Sequence, residues 1–267
     1  MSASVRRAKW QPPSLLTGYY AILVAFLFLP IGVLLLFSFN SGATLTFPLK
    51  EFTFEWYEAA IETPAARDAV RNSVMVALGS SLMATALATM VALLIARYRF
   101  RGKSLLLGLA MLPLIVPYLV LGVALLLLFA ALDIERSLMT IGVSHTVISL
   151  PYALLIVLAR LTGVSADLEE AAMDLGATYP TTLRLIVLPI AAPAIVSAWL
   201  VAFTASFDEF ALALFLAGTE PTLPVYIFGQ LRFASRLPMM IALAVMVTGG
   251  SLMLALLADR LRRWERR

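Results

Sequence analysis

The sequence predicts an all-α integral membrane protein with six transmembrane helices and both termini in the cytoplasm. Hydrophobic residues make up 61% of the chain and charged residues only 13%, and the mean hydropathy is +0.94. Soluble domains are about half apolar and about a quarter charged. The apolar residues also come in runs of roughly 20, the length at which a helix crosses the hydrocarbon core. These observations exclude an ordinary soluble domain.

Six apolar runs are long enough to be spans. They cover residues 18–39, 73–96, 105–132, 138–161, 190–216 and 237–258. Basic residues precede the first run, as they do in a signal peptide. Its apolar stretch exceeds the roughly 7–15 residues of a signal sequence, so we expect a retained helix.

The basic residues predict the orientation of these spans. Lys and Arg favour cytoplasmic loops, and here they cluster at residues 6–9, 97–103 and 260–267. Six spans place all three clusters on one side of the membrane. The same count places the loop around Glu170 in the cytoplasm. The net charge of +4 therefore comes from basic residues at the membrane edges and does not indicate nucleic-acid binding.

The long outer connection, residues 41–71, contains one predicted helix. Its apolar residues recur at helical spacing between glutamates: Phe54, Trp56, Tyr57, Ala60 and Ile61. This pattern is typical of a short amphipathic helix at the outer membrane interface. It fits either an aromatic anchor or a contact with an external partner or the solute.

The third span contains Pro113 and Pro117, each of which removes a backbone donor and kinks a helix. Backbone carbonyls that lose their hydrogen bonds inside a bilayer must find other partners, either in the protein or in a water-lined cavity. We therefore expect this span either to border a pathway, with the hydroxyl of Tyr118 directed into it, or to be simple kinked packing. In the fourth span, the lone His145 is either a hydrogen-bonded packing residue, the commoner role of such a histidine, or a proton relay.

The fifth span combines small residues with acids. Alanines dominate its first half, which favours close helix packing at the centre of a bundle or at a subunit interface. Ser206, Asp208 and Glu209 follow within the same apolar run. Each acid costs a few kcal/mol at the bilayer centre and needs a partner. Either Arg232 or Arg236 caps the pair at the outer interface, or the pair is a site for a cationic group, with one acid facing the pathway.

A polar segment between the fourth and fifth spans predicts a short cytoplasmic helix. Ser165 is its expected N-cap, and Gly176 ends it. Between them lies an apolar stripe, with acids on the other face: Leu168, Ala171, Ala172 and Leu175. An acidic face is repelled by anionic lipid, so this helix indicates a protein partner.

This segment resembles the permease subunits of binding-protein-dependent ABC importers. Their signature is Glu-Ala-Ala, three residues, Gly, nine residues, then Ile-x-Leu-Pro. The chain has Glu170-Ala171-Ala172, Gly176 and Ile186-Val187-Leu188-Pro189 in that register. The resemblance implies one permease domain over residues 1–267 with the type I ABC importer fold. Within it, residues 164–189 form the segment that couples to the ATPase, through Glu170, Ala171, Ala172, Asp174, Gly176 and Pro189.

The resemblance also implies partners and a place in the cell. They are a dimer of ATP-binding subunits, a second and homologous permease, and an external solute-binding protein, in the lipid of the bacterial inner membrane. A phosphate loop of the form G-x-x-x-x-G-K-[ST] does not occur in the sequence. We therefore expect ATP to be bound by the partner, with no cofactor and no enzymatic site in this chain.

Within the family the chain is similar to the spermidine/putrescine branch, at residues 30–40, 98–103, 144–145 and 206–209. That likeness implies a polyamine site built from Asp208, Glu209, Ser206 and Tyr118. Polyamine permeases often carry an acid where this chain has Tyr118. The branch also includes permeases for other solutes, so an amino-acid-like amine, a metal or an anion stays an alternative.

Two other classes of function differ from a permease subunit in the residues that they require. A stand-alone secondary transporter would use Asp208 and Glu209 as its ion-coupling acids. An intramembrane enzyme lacks the means, because the chain has no cysteine, one histidine and no paired metal-ligand motif. The ATP-driven permease subunit is the reading that the residues favour.

Overall fold

The computed structural model describes residues 14–42 and 46–264, and nearly all of these are helical. The basic residues at 6–9 and the last two arginines, used above for orientation, lie outside the described residues. The helices are α1 (Ser14–Phe37), α2 (Glu55–Glu62), α3 (Pro64–Arg97), α4 (Lys103–Met111), α5 (Tyr118–Ala131), α6 (Leu138–Thr162), α7 (Asp167–Asp174), α8 (Tyr179–Thr182), α9 (Leu188–Phe207), α10 (Ala211–Leu216), α11 (Leu223–Gln230) and α12 (Leu237–Trp264).

Five helical stretches in the described part of the chain are long and apolar enough to cross a membrane. They are Leu15–Phe37, Pro64–Arg97, Leu138–Thr162, Tyr179–Phe207 and Ala234–Leu257. A π turn at Leu183–Val187 joins α8 to α9 within the fourth of these stretches. The predicted third span is a sixth candidate only if two helices separated by a sharp bend are counted as one.

That third span is broken. Residues Lys103–Leu114 and Tyr118–Ala131 are helical, but their axes differ by 105°. The break falls at Pro117, whose backbone is extended (φ −57°, ψ 132°) and which has no N–H to continue the helix. The sequence therefore predicted the position of the bend correctly, but a 105° break is more than a kink.

Helices α3, α6 and α9 form the centre of the bundle. Alanines at their contacts have no exposed surface and allow the backbones to approach closely: Ala88, Ala92, Ala153, Ala191 and Ala198. Larger residues such as Leu154 and Val157 fill the space between them. The prediction that the alanine-lined fifth span packs centrally is confirmed.

Helix α1 lies at the edge of the bundle, where it packs against α12. Its large apolar side chains, including Leu15 and Phe26, are exposed. In a membrane protein such a surface faces lipid or another chain.

Helix α2 confirms the predicted helix in the long connection. Its aromatic residues are tied to the end of α1. Phe39 stacks on Phe52 and Tyr57, with ring centroids 4.8 and 5.2 Å apart. The Tyr57 hydroxyl shares a 2.7 Å hydrogen bond with Ser38, and Trp56 Nε1 donates to the carbonyl of Asn40 at 2.9 Å. The aromatic residues therefore fix the helix to the chain that precedes it.

Candidate functional site

The predicted fifth span is interrupted where its acids lie. Helix α9 ends at Phe207, and α10 begins at Ala211. Asp208 follows α9 as its C-cap residue, and Glu209 lies in the gap between the two helices. The expectation of one continuous helix over residues 190–216 is therefore wrong. The apolar run continues across the gap, but the backbone does not.

The Glu209 side chain explains why the gap is stable. Its two carboxylate oxygens accept hydrogen bonds from the backbone N–H of Leu212, each at 3.0 Å, and Oε2 accepts one from Ala213 at 3.2 Å. The first N–H groups of a helix have no partner within the helix. A carboxylate binds them strongly, since the acceptor is charged. Glu209 thus starts α10 instead of continuing α9.

Glu209 also belongs to a buried polar network that joins three long helices. His145 on α6 places Nε2 3.2 Å from Glu209 Oε2, although the direction is poor for a hydrogen bond. Its other nitrogen, Nδ1, is 2.8 Å from the Ser206 hydroxyl on α9, which shares a 2.8 Å hydrogen bond with Ser80 on α3. Glu209 is only 6% exposed and His145 1%. The interpretation of His145 as a hydrogen-bonded packing residue agrees with this arrangement.

Asp208 lies in a different environment. Its side chain is exposed, and Oδ1 accepts a 3.0 Å hydrogen bond from the Ser251 hydroxyl on α12. It borders a cleft of about 320 Å³ between the gap, α11 and α12. The cleft is otherwise almost entirely apolar, lined by Phe210, Leu223, Pro224, Ile227, Phe228, Leu231, Ala244, Val247 and Thr248. One carboxylate therefore faces an apolar and aromatic surface.

The arginine cap considered for this acid pair is not what the structure contains. Arg232 lies over the Phe233 ring, 4.9 Å from its centroid, and Arg236 binds the side chain of Gln230. Among the described residues, Arg97–Glu169 is an arginine–carboxylate ion pair, and the basic ring that approaches Glu209 is that of His145, with Nε2 3.2 Å from Oε2. Backbone N–H groups bind the Glu209 carboxylate instead, so no arginine or lysine has to be buried beside it.

Tyr118, the fourth predicted site residue, begins α5 after the break at Pro117. Its hydroxyl shares a 2.9 Å hydrogen bond with the hydroxyl of Tyr152 on α6. Tyr118 packs against the apolar cluster that includes Leu212 and Ala213, whose N–H groups bind Glu209. The structure thus brings Tyr118 near the network of Ser206 and Glu209, while Asp208 faces the separate cleft beside α12.

Helix α7 confirms the predicted helix between the fourth and fifth spans. Gly176 has φ +89°, a conformation that favours glycine. The Ala177 N–H binds the Ala172 carbonyl at 3.0 Å, and the Gly176 N–H binds the Met173 carbonyl at 2.9 Å, so the last carbonyls are satisfied. The N-cap of α7 is Ala166, one residue after the expected Ser165. Ser165 still contributes, since its Oγ accepts a 3.2 Å hydrogen bond from the N–H of Asp167.

The predicted apolar stripe of α7 is uncovered. Leu175 is 90% exposed and Leu168 is 50% exposed, and Glu170 and Ala171 are exposed beside them. An exposed apolar stripe on a short helix is a surface that a protein partner can cover. Pro189, at the end of the signature, is the second residue of α9, directly after the π turn.

The acid of α7 that is buried is Glu169, which sequence reasoning treated only as part of a polar face. Glu169 Oε1 lies 2.5 Å from Arg97 Nε, and Arg97 Nη1 donates to the Leu161 carbonyl at 3.0 Å. In the sequence, Arg97 is notable only as part of a basic cluster that predicts orientation, and neither Tyr152 nor Ser251 stands out. The sequence marks these residues only as polar groups at a helix end or within an apolar run, and that pattern does not identify their partners.

Comparison with known proteins agrees with the motif. The model of the family "Binding-protein-dependent transport system inner membrane component" matches residues 84–267. The chain is 33% identical to the spermidine/putrescine transport system permease protein PotC of Haemophilus influenzae, over 92% of this chain and 95% of that protein. It is also 33% identical to the putrescine transport system permease protein PotI of Escherichia coli K12, over 92% of this chain and 88% of that protein.

A solved structure supports the fold alone. It is a bacterial ABC transporter involved in the import of the acidic polysaccharide alginate, at 15% identity and a TM-score of 0.72, covering 92% of this chain and 94% of that one. Together with the long apolar helices, these findings make the chain a multi-pass transport component of the bacterial inner membrane. It belongs to the family of binding-protein-dependent transport system inner membrane components.

Proposed function

We propose that this chain is the permease subunit of an ATP-driven importer that takes up spermidine, putrescine or a closely related polyamine from an external binding protein. The observation that carries the proposal is Asp208, an exposed carboxylate on an apolar, aromatic cleft within a helix bundle. The two polyamine permeases that resemble the chain over 92% of its length support the same solute class.

The cleft has the chemistry that a polyamine needs. An ammonium group binds the Asp208 carboxylate, and their attraction strengthens as the local dielectric constant falls. The rings of Phe210 and Phe228, with centroids 4.9 Å apart, offer faces that attract a cation and surfaces against which methylenes pack. A chain of alternating charged and apolar groups suits this combination better than an anion does.

The four proposed site residues have different roles. Asp208 receives the ammonium group directly. Glu209 and Ser206 hold the gap between α9 and α10 open, so that Asp208 stays at the cleft. Tyr118 packs against the apolar cluster that includes residues of α10, and its hydroxyl shares a hydrogen bond with that of Tyr152.

The exposed face of α7 is the proposed docking surface for an ATP-binding subunit. Glu170 and Asp174 supply charge, Ala171 and Ala172 allow close approach, and Gly176 ends the helix. A second, homologous permease completes the pathway in this proposal. In this proposal the ends of the chain and residues 97–103 lie on the cytoplasmic side of the membrane, as α7 does.

Uptake of labelled spermidine in cells tests the proposal. A strain that lacks this chain should lose saturable uptake and regain it from a plasmid copy. Excess putrescine should compete, whereas an anion such as molybdate should not. Uptake should also stop when the ATP-binding subunit that co-purifies with the chain carries a disabled phosphate loop.

Two results would contradict the proposal. Unchanged uptake in the deletion strain, with strong competition by a solute without an ammonium group, would overturn the solute class. Uptake that survives the disabled ATP-binding subunit but stops with a protonophore would favour a stand-alone secondary transporter.

A further inference from the structure

Arg97 joins the ends of three helices. It is the last residue of α3, and its Nε lies 2.5 Å from Oε1 of Glu169, in the first turn of α7. Its Nη1 donates to the carbonyl of Leu161, in the last turn of α6, at 3.0 Å. The side chains of Arg97 and Glu169 are 11% and 8% exposed. A single guanidinium group therefore connects the exposed helix α7 to two helices of the central bundle.

Stability alone does not explain this pair. Removing two charges from water costs several kcal/mol per ion, so a buried ion pair is often no more stabilising than packed apolar residues. The guanidinium is also incompletely satisfied, since Arg97 Nη2 is buried without a hydrogen-bond partner among the described residues. The pair instead fixes the orientation of α7 relative to α3 and α6, because the planar guanidinium holds the groups that it binds in defined positions.

Helix α7 has few other ties to the bundle. It packs against α8 and against the Leu183–Val187 turn, both of which follow it in the chain. Tyr98, next to Arg97, makes an edge-on ring contact with Tyr179 at the start of α8, at 6.3 Å. The two residues at the end of α3 thus hold both α7 and the segment that follows it. Helices α3 and α6, to which Arg97 links α7, form the most extensive helix contact in the described chain.

We propose that Arg97 and Glu169 are positioning residues that fix α7 to the α3–α6 pair, so that movement of a docked ATP-binding subunit is carried to the bundle. This inference rests on the proposed function, in which α7 is the docking helix. Neither residue contacts the solute cleft, so their loss should change the rate of transport and leave the apparent affinity for the solute unchanged.

Charge reversal tests the link. The variants are Arg97→Glu, Glu169→Arg and the double swap, with Arg99→Glu as a control because Arg99 is exposed two residues further on. Spermidine uptake is measured in cells, and the chain and its co-purified ATP-binding subunit are quantified in the same membranes. Each single reversal should lower Vmax by about 10-fold, in the range of typical coupling energies, with KM unchanged. The control should behave as wild type.

The double swap separates coupling from simple loss of a fold. It restores opposite charges, although Glu at the end of α3 and Arg at the start of α7 oppose the helix dipoles. Recovery of most of the lost Vmax in the swap supports the inference. A single reversal with wild-type Vmax contradicts it, and so does a swap that accumulates normally but transports as slowly as the single variants.

Variants that fail to accumulate still leave a clear result. If the single reversals are degraded, Arg97→Lys keeps the charge but loses the planar geometry. It should accumulate, transport slowly and keep its KM, and wild-type transport by Arg97→Lys would overturn the inference. Failure of the proposed function would give a different result from failure of this inference. If the proposed function is wrong, no ATP-binding subunit should co-purify with the tagged wild-type chain.

Discussion

Asp208 and Glu209 are neighbours in sequence, but their carboxylates bind different parts of the bundle. Asp208 Oδ1 accepts a 3.0 Å hydrogen bond from Ser251 on α12, at an exposed cleft. Glu209 Oε2 lies 3.2 Å from Nε2 of His145 on α6 and binds the first turn of α10. We therefore expect separate consequences when the two acids are changed: replacing Asp208 should affect solute uptake, and replacing Glu209 should affect the local fold.

Glu209→Gln should weaken the fold around the gap. The substitution keeps the shape but removes the charge that binds the N–H groups of Leu212 and Ala213 and that faces His145. Loss of hydrogen bonds to a charged group costs about 1–3 kcal/mol. Thermal unfolding of the purified complex should therefore occur at lower temperature, with less chain in the membrane. Normal stability together with loss of spermidine uptake would instead show that Glu209 contacts the solute.

Gly176→Ala should impair α7 without affecting membrane insertion. An alanine at φ +89° is strained by about 1–2 kcal/mol, which opposes the turn that ends the helix. Spermidine uptake and the amount of co-purified ATP-binding subunit should both fall. Gly176→Asn should retain more activity, since asparagine tolerates positive φ better.

Gly163→Ala is the matched control for this change. Gly163 has φ −85°, and an added Cβ would meet its neighbours at ordinary contact distances of 3.5 and 3.6 Å. It should transport as wild type. Equal loss in Gly163→Ala and Gly176→Ala would mean that the positive φ is not the cause.

A single cysteine tests the orientation, because the chain has none of its own. Ser104→Cys lies in an exposed position at the start of α4, and Glu51→Cys lies in the exposed connection before α2. In sealed cells an impermeant maleimide should label residue 51 and not residue 104. Labelling of residue 104 from outside would contradict the orientation that the basic residues predict.

The features that sequence predicted well depend on local patterns. The stripe from Leu168 to Leu175 and the glycine at position 176 specify α7 and its end within ten residues of chain. The alanines of α9 predicted close packing for the same reason, since small side chains permit it whichever helix lies opposite. Pro117 fixed the position of the break before α5, because proline cannot donate a backbone hydrogen bond.

The features that sequence did not predict depend on contacts between distant residues. The gap at Asp208 lies inside an otherwise apolar run that extends to Leu216, and the two acids in that run do not by themselves indicate that the backbone breaks there. It depends on the backbone N–H groups of α10 that bind the Glu209 carboxylate and on the approach of His145 from α6. Arg97 and Glu169 are 72 residues apart, and neither position alone indicates a pair.

Transport kinetics of Asp208→Asn test the central claim most directly. Labelled spermidine uptake is measured over a range of concentrations in cells that carry equal amounts of chain, with Asp133→Asn, an exposed acid away from the cleft, as control. Loss of the carboxylate should raise KM by about 10-fold or more, as expected for one hydrogen bond to a charged group, while Asp208→Glu retains part of the affinity. A wild-type KM and Vmax in Asp208→Asn would contradict the claim that this chain receives a polyamine at Asp208.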